Sequence, residues 1–246
     1  MQDKQTSLAL AYSYLSQSKS FIAEYGIKRA PKLLGAFPAW YLGNIQRRTA
    51  LEDSEPWITT GALAYLDRHL SRKGLVFEWG SGGSTIYYAK NSLHVTSVEH
   101  DSEWHEKVLE RLKHCSMSNV KSLLKPPKPH VVESARDPAT PTDYSSADET
   151  YSCFEFQEYA ASIDSNNHMY ELISVDGRAR PSCIAHAVRH VAVGGFLLLD
   201  NSDRDYYLQH LPAALTAWNR IDFPGPYKFS RTFGKTTIWV NSGKSN

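Results

Sequence analysis

From Trp57 onward, apolar and polar positions follow two alternating periods. Short apolar runs of strand length stand at Leu75 to Trp79, His94 to Glu99, Val120 to Leu124, Tyr170 to Val175 and Phe196 to Leu199. Between them lie segments whose apolar residues recur every three or four positions, the helical period. Leu63, Tyr65, Leu66 and Leu70 define one helix, opened by Thr59-Thr60 and closed by Lys73-Gly74. Trp104, Val108 and Leu112, at spacing four, define another over 102–115. Further helices are predicted at 84–90, 154–163, 182–191 and 206–218. Tyr227-Lys228-Phe229 and Thr236 to Val240, around Gly234, read as an antiparallel pair. Near-continuous apolar strands separated by helices predict an α/β architecture, a mostly parallel sheet covered on both faces.

The first 56 residues have a different texture, and the chain divides into an N-terminal helical extension, 1–56, and a main domain, 57–246. Leu8, Tyr12 and Leu15 fall at i, i+4 and i+7, and Phe21, Ile22 and Tyr25 extend that face, so 6–25 is predicted to be a helix. Such a face suits packing on the main domain or on a second subunit, which makes the extension a route to a homo-oligomer. Its basic residues are too few and scattered for a polybasic membrane anchor. Residues 126–150 carry five prolines and many polar groups. A loop that long in a compact domain is a natural lid.

Charge and composition narrow the choice of partner. The chain has 27 basic and 26 acidic residues, a net charge of +1 with histidines neutral, and 41% hydrophobic residues. That balance supplies no global field to steer a nucleic acid or an anionic membrane surface. The cysteines Cys115, Cys153 and Cys183 are odd in number and lack C-x-x-C spacing, which argues against a disulfide framework or thiolate zinc site and fits a reducing compartment. No apolar run reaches the ~18–20 residues of a membrane span. Met1-Gln2-Asp3-Lys4-Gln5 has no signal-peptide character, so a cytoplasmic location is expected.

The chemistry concentrates at Glu78-Trp79-Gly80-Ser81-Gly82-Gly83-Ser84-Thr85, between the first strong strand and a helix. Glycines there allow a sharp turn and bring bare backbone against a ligand. Glu99 ends the next strand, where an acid is placed to bind ribose hydroxyls. A nicotinamide dinucleotide would call for glycine at position 85, which is Thr85. Glu78 would also repel a pyrophosphate, and instead favours a cation such as an ammonium or a sulfonium. The pair Glu78 and Glu99 thus suits S-adenosylmethionine better than a dinucleotide.

At these residues the sequence resembles class I S-adenosylmethionine-dependent methyltransferases. Val76 to Thr85 and Ser97-Val98-Glu99-His100-Asp101 are similar to that family's first two motifs, and Val175-Asp176-Gly177-Arg178-Ala179-Arg180 and Gly194 to Asn201 to the ends of its fourth and fifth strands. The resemblance covers roughly 57–241. It implies a Rossmann-like, doubly wound seven-stranded sheet of order 3-2-1-4-5-7-6, mostly parallel with an antiparallel last strand. Carried over by position, Glu78, Gly80, Ser81 and Gly82, with Ser84, Thr85 and Asp176, would cradle the methionine end, and Glu99 the ribose. The adenine-contacting position falls after Leu124, where it does not align.

Asp176 closes one strand and Asp200-Asn201 the next, so neighbouring strands would bring these three together. They are hard oxygen ligands suited to Mg²⁺ or another divalent cation. The pattern is similar to that of metal-dependent O-methyltransferases of the catechol type, in which such an ion orients an acceptor hydroxyl and lowers its pKa. The lysine that group carries after the first Asp is absent. Gly177-Arg178-Ala179-Arg180 stands there, which leaves Asp176 or His100 as the base. The alternative is that Asp200 to Asp203 only shapes a turn. Arg178, Arg180 and Arg204 either grip an anionic acceptor or pair with acids such as Asp203 and Asp205.

The residues therefore point to methyl transfer to an oxygen of a small molecule or saccharide. The alternative is a non-catalytic nucleoside-binding or interaction protein that kept the fold. A nucleic-acid acceptor is not expected, because there is neither a basic stripe nor an Asn-Pro-Pro-Tyr motif.

Overall fold

A computed structural model describes residues 2–130, 136–165 and 167–243, with side chains from residue 7 onward. Residues 131–135 of the proline-rich loop lie outside the described residues. The N-terminal part contributes helices α1 (Gln2–Tyr25), α2 (Ala30–Ile45) and the single turn α3 (Ala50–Asp53). There follow α4 (Thr60–His69), β1 (Leu75–Trp79), α5 (Gly83–Asn91), β2 (His94–Glu99), α6 (Ser102–His114) and β3 (Val120–Leu124). A two-residue ribbon, β4 (Lys128–Pro129) with β5 (Phe154–Glu155), then leads into α7 (Gln157–Ala160), β6 (Tyr170–Val175), α8 (Arg180–Ala187) and β7 (Val191–Leu199). The chain closes with β8 (Asn219–Pro226) and β9 (Phe233–Val240).

Seven strands form one sheet in the order β3-β2-β1-β6-β7-β9-β8, with β9 antiparallel to both neighbours. Counted within the sheet, this is 3-2-1-4-5-7-6. Alternation along the strands explains the two covered faces. Phe77, Trp79, Ile173, Val175, Leu197 and Leu199 point to one side, where Tyr159 of α7 and Cys183 and Ile184 of α8 close the core. Val76, Leu172, Phe196 and Leu198 point to the other, against Ala62 and Leu66 of α4 and Tyr88 of α5. Chain order reverses between β1 and β6. A crevice therefore opens beyond their carboxyl ends, the usual ligand position in such sheets.

Several expected elements take another form. The helix expected at 206–218 is replaced by two 3₁₀ turns, Asp205–Leu208 and Ala213–Thr216. Pro212 has no N–H for a helical bond and stands extended at ψ 139°. The final pair uses 219–226 rather than 227–229 as its first strand; Pro224 and Pro226 disguise it, and they are tolerated because β8 is an edge. Of the helix expected at 154–163 only Gln157–Ala160 is α-helical, because Phe154 and Glu155 pair with the proline-rich loop. The helix expected at 182–191 starts at Arg180 and gives way at Val191 to β7.

The N-terminal helix also presents a different face from the one its spacing suggested. Leu8, Tyr12 and Leu15 are 72%, 75% and 67% exposed, while Leu10, Tyr14 and Phe21 are buried. Helix α1 has apolar residues on both sides, and the buried set is the one that meets Trp40 of α2 and Phe233 of β9. Helix α2 falls within the helical extension expected over 1–56; its Trp40 is fully buried and donates Nε1–H to the Ser230 carbonyl at 2.7 Å.

Candidate active site

The crevice beyond β1 is shaped by a turn that only glycine can make. Gly80 has φ +90°, and a Cβ there would lie 2.8 Å from the Asp176 carbonyl group. Both the strain and the contact exclude a side chain. Its N–H donates to the Val98 carbonyl at 2.9 Å. At Gly82 a Cβ would meet only the Trp104 ring, at 3.9 Å, so this backbone faces open space. The Gly82 N–H donates to Thr85 Oγ1 at 3.0 Å, which fixes the start of α5. Thr85 is fully buried; it braces the turn and does not face the crevice.

Glu78 lies directly beneath this turn, 1% exposed. Its Oε2 accepts from the Ser84 hydroxyl at 2.7 Å, whereas its Oε1 is buried without a hydrogen-bond partner. Burial pushes the carboxyl up to about 7. A buried acceptor left unsatisfied costs free energy that a cationic donor could return.

Glu99 is engaged very differently. Ser81 donates both its N–H and its hydroxyl to Oε2, each at 2.9 Å. Oε1 accepts the N–H groups of His100 at 2.8 Å and Asp101 at 3.0 Å. Burial alone would raise this carboxyl, but the hydrogen bonds from His100 and Asp101 outweigh it and hold it below the usual glutamate range. Trp104 completes the arrangement by donating Nε1–H to the Ser81 carbonyl at 2.7 Å. Sequence spacing had placed Trp104 only on a helix face; its role as a brace for the turn depends on a contact 23 residues away.

His100 stays close to Glu99, its Nδ1 2.6 Å from Oε1 but off the axis of a hydrogen bond. Its ring is surrounded by Tyr151, Phe156 and Tyr159 at centroid distances of 5.2, 5.8 and 6.0 Å. It is not among the residues that line the cavity with Asp176 and Asp200.

Asp176, Asp200 and Asn201 do converge. They line a cavity of about 370 Å³ together with Trp57, Arg204 and Tyr227. Asp200 Oδ1 accepts from the Thr236 hydroxyl at 2.5 Å and the Tyr227 hydroxyl at 3.2 Å. Asn201, at φ +50°, donates Nδ2–H to the Tyr227 oxygen at 3.2 Å. Burial pushes both aspartates up, and the nearby Asp176 raises Asp200 further, to about 8.

The cation that compensates this pair is part of the chain. Arg180 is buried, and its Nη2 donates to Asp176 Oδ1 at 3.0 Å while Nη1 donates to the Asp200 carbonyl at 2.5 Å. Its Nε–H donates to the Gly177 carbonyl at 2.9 Å. Arg180 thus pairs with one carboxylate of this set and ties it to the next strand end, and the structure gives no support to the divalent ion expected at Asp176, Asp200 and Asn201. Among the described residues no group of three His, Cys, Asp or Glu side chains has metal-binding geometry. The sequence offers Arg180 either as a grip for an anionic acceptor or as a partner of an acid such as Asp203 or Asp205; the structure gives it an acid partner, and that partner is Asp176.

Comparisons with solved structures support the fold. An O-methyltransferase from Bacillus cereus, in complex with S-adenosylhomocysteine, superposes with a TM-score of 0.53 at 11% identity, over 82% of this chain and 95% of that one. A protein described as an O-methyltransferase from Klebsiella pneumoniae gives 0.51 at 14% identity, over 78% and 88%. An rRNA methylase from Streptococcus thermophilus gives 0.49 at 13%, over 72% and 92%. No protein-family model matches the sequence, nor does any curated protein. The chain has the fold of the class I S-adenosylmethionine-dependent methyltransferases. At these identities the likeness speaks to fold alone. Among the described residues no helix is long and apolar enough to cross a membrane.

Proposed function

We propose that this chain is an S-adenosylmethionine-dependent methyltransferase acting on a hydroxyl oxygen of a small molecule or saccharide. The observation that carries the reading is Glu78, a buried carboxylate with one unpartnered oxygen under an open glycine turn at the head of this sheet. Those features fit the cofactor's methionine end: Glu78 would hold the ammonium, and the bare backbone of Gly80 to Gly82 would allow close approach. When bound, the cofactor supplies a methyl group already activated on a sulfonium.

The chain's own task is then alignment and removal of one proton. Asp176 and Asp200 line the cavity of about 370 Å³; Asp200, pushed up to about 8, keeps its own proton at neutral pH, which leaves Asp176 as the proton acceptor available to a hydroxyl there. Arg180 holds both strand ends in register without leaving the interior. Trp57, 51% exposed at the cavity wall, offers an aromatic face to a sugar ring or a planar phenol.

Ribose binding asks more of the site, since Glu99 must exchange the Ser81 hydroxyl for the ribose hydroxyls. That same closed Glu99 network favours a second reading, a non-catalytic protein that kept the fold. Incubation with methyl-labelled S-adenosylmethionine and a panel of hydroxylated small molecules and saccharides separates them. Label transferred to an oxygen acceptor supports the enzyme; cofactor binding with no transfer to any acceptor supports the second reading.

A further inference from the structure

Arg178 and Arg180 at the start of α8, and Arg204 before the Asp205–Leu208 turn, line one cavity of about 210 Å³. Three arginines contribute to its lining, and among the described residues Asp148 is the one carboxylate there. Asp148 pairs with Arg178 at 3.0 Å, with both side chains about one-third exposed. Arg180 spends its donors inward on Asp176, Gly177 and Asp200.

Arg204 is different. Its Nη1 donates to the Tyr207 hydroxyl at 3.2 Å, and its guanidinium stands 5.9 Å from that ring's centroid. Its hydrogen bonds go to neutral tyrosines, and the acid that feels its charge is Asp176 in the neighbouring cavity, with no carboxylate bonded to it among the described residues. Asp203, the neighbour that sequence offered as a partner, instead accepts the Lys235 N–H at 3.3 Å. Arg204 also lines the larger cavity with Asp176 and Asp200, so one guanidinium forms the wall between the two spaces. Ala179, between Arg178 and Arg180, is held at φ +46°, a left-handed conformation that a residue with a Cβ rarely adopts. Such strain persists where the surroundings over-determine it.

We propose that the smaller cavity binds an oxyanion carried by the methyl acceptor, a carboxylate or a phosphate or sulfate ester. Arg204 is its principal partner and Arg178 its second. A guanidinium presents paired N–H donors to two oxygens of one anion, and charge-assisted bonds of this kind are about twice as strong as neutral ones. The hydroxyl to be methylated then lies across Arg204, beside Asp176 and Asp200. The word acceptor rests on the methyltransferase reading; the anion site itself does not.

The test is a titration of acetate, phosphate and sulfate at constant ionic strength, following backbone amide signals of residues 177–180, 182 and 204–207. Wild type should show saturable shifts, weakened about tenfold or more in Arg204→Gln and less in Arg178→Gln. Arg220→Gln, which removes a surface arginine paired with Asp222 on β8, should leave them unchanged. Tighter acetate binding supports a carboxylate on the acceptor, and tighter phosphate or sulfate binding an ester. No saturable shift with any anion, or equal affinity in Arg204→Gln, overturns the proposal. S-adenosylhomocysteine is titrated into the same samples. If it fails to bind while the anions bind through Arg204, the methyltransferase reading falls and the anion site stands.

Discussion

Ser81 and Glu99 are joined twice: the Ser81 N–H and the Ser81 hydroxyl both donate to Glu99 Oε2 at 2.9 Å. The residue that would read the ribose is thus also the residue that fixes the glycine turn. Ser81→Ala removes one of the two donors and leaves the other, so the turn should persist with Glu99 more available. Affinity for S-adenosylhomocysteine should hold or improve up to about threefold, measured by calorimetry. A loss of tenfold or more would mean that the serine itself is a ligand.

Glu99→Ala removes the acceptor of four buried or half-buried donors at once. Leaving such donors unpaired should cost on the order of 3 kcal/mol, seen in chemical denaturation, besides weakening ribose binding. The carboxylate is held below its usual range when folded, so its contribution is present at neutral pH and is lost as pH falls through the folded value. An unchanged unfolding midpoint would contradict the network.

Glu78 should act in the opposite sense. Below about pH 4.5 it is protonated whether the chain is folded or not and contributes nothing. Between 4.5 and about 7 the unfolded chain releases a proton that the folded chain keeps, so stability falls as pH rises and levels off above 7. Glu78→Gln should flatten that slope, measured as denaturation midpoints at pH 5 and pH 8. Parallel slopes in wild type and variant would show that Glu78 is not the buried acid described.

Arg180→Met should be strongly destabilising, by about 3–5 kcal/mol, because it leaves Asp176 and Asp200 without their internal cation. Adding Asp176→Asn to that variant should recover part of the loss. A purely additive double mutant would separate Arg180 from the aspartates.

The central strands β1, β6 and β7 were legible in the sequence because they are buried on both faces and read as near-continuous apolar runs. β8 was not, since Pro224 and Pro226 hide an edge strand whose missing N–H groups need no partner. The helix face of α1 was misplaced because periodicity identifies an apolar stripe but not which of two stripes meets Trp40 and Phe233. At the site, strand-end spacing brought out Glu78, Glu99, Asp176, Asp200 and Asn201. What no spacing carries is who pairs with whom. Arg180 on Asp176 and on the Asp200 carbonyl, Ser81 on Glu99 and Trp104 on the turn are tertiary contacts.

The most direct measurement is a calorimetric titration of S-adenosylhomocysteine into wild type and Glu78→Gln at pH 6 and pH 8. With a carboxyl near 7 that must ionise to hold the ammonium, about a tenth of the protein is ready at pH 6 and about nine-tenths at pH 8. Saturable one-to-one binding, tighter at pH 8 by up to about tenfold in wild type and weak and pH-independent in Glu78→Gln, is the predicted result. No saturable heat with millimolar S-adenosylhomocysteine, or equal binding by the two proteins at both pH values, would contradict it.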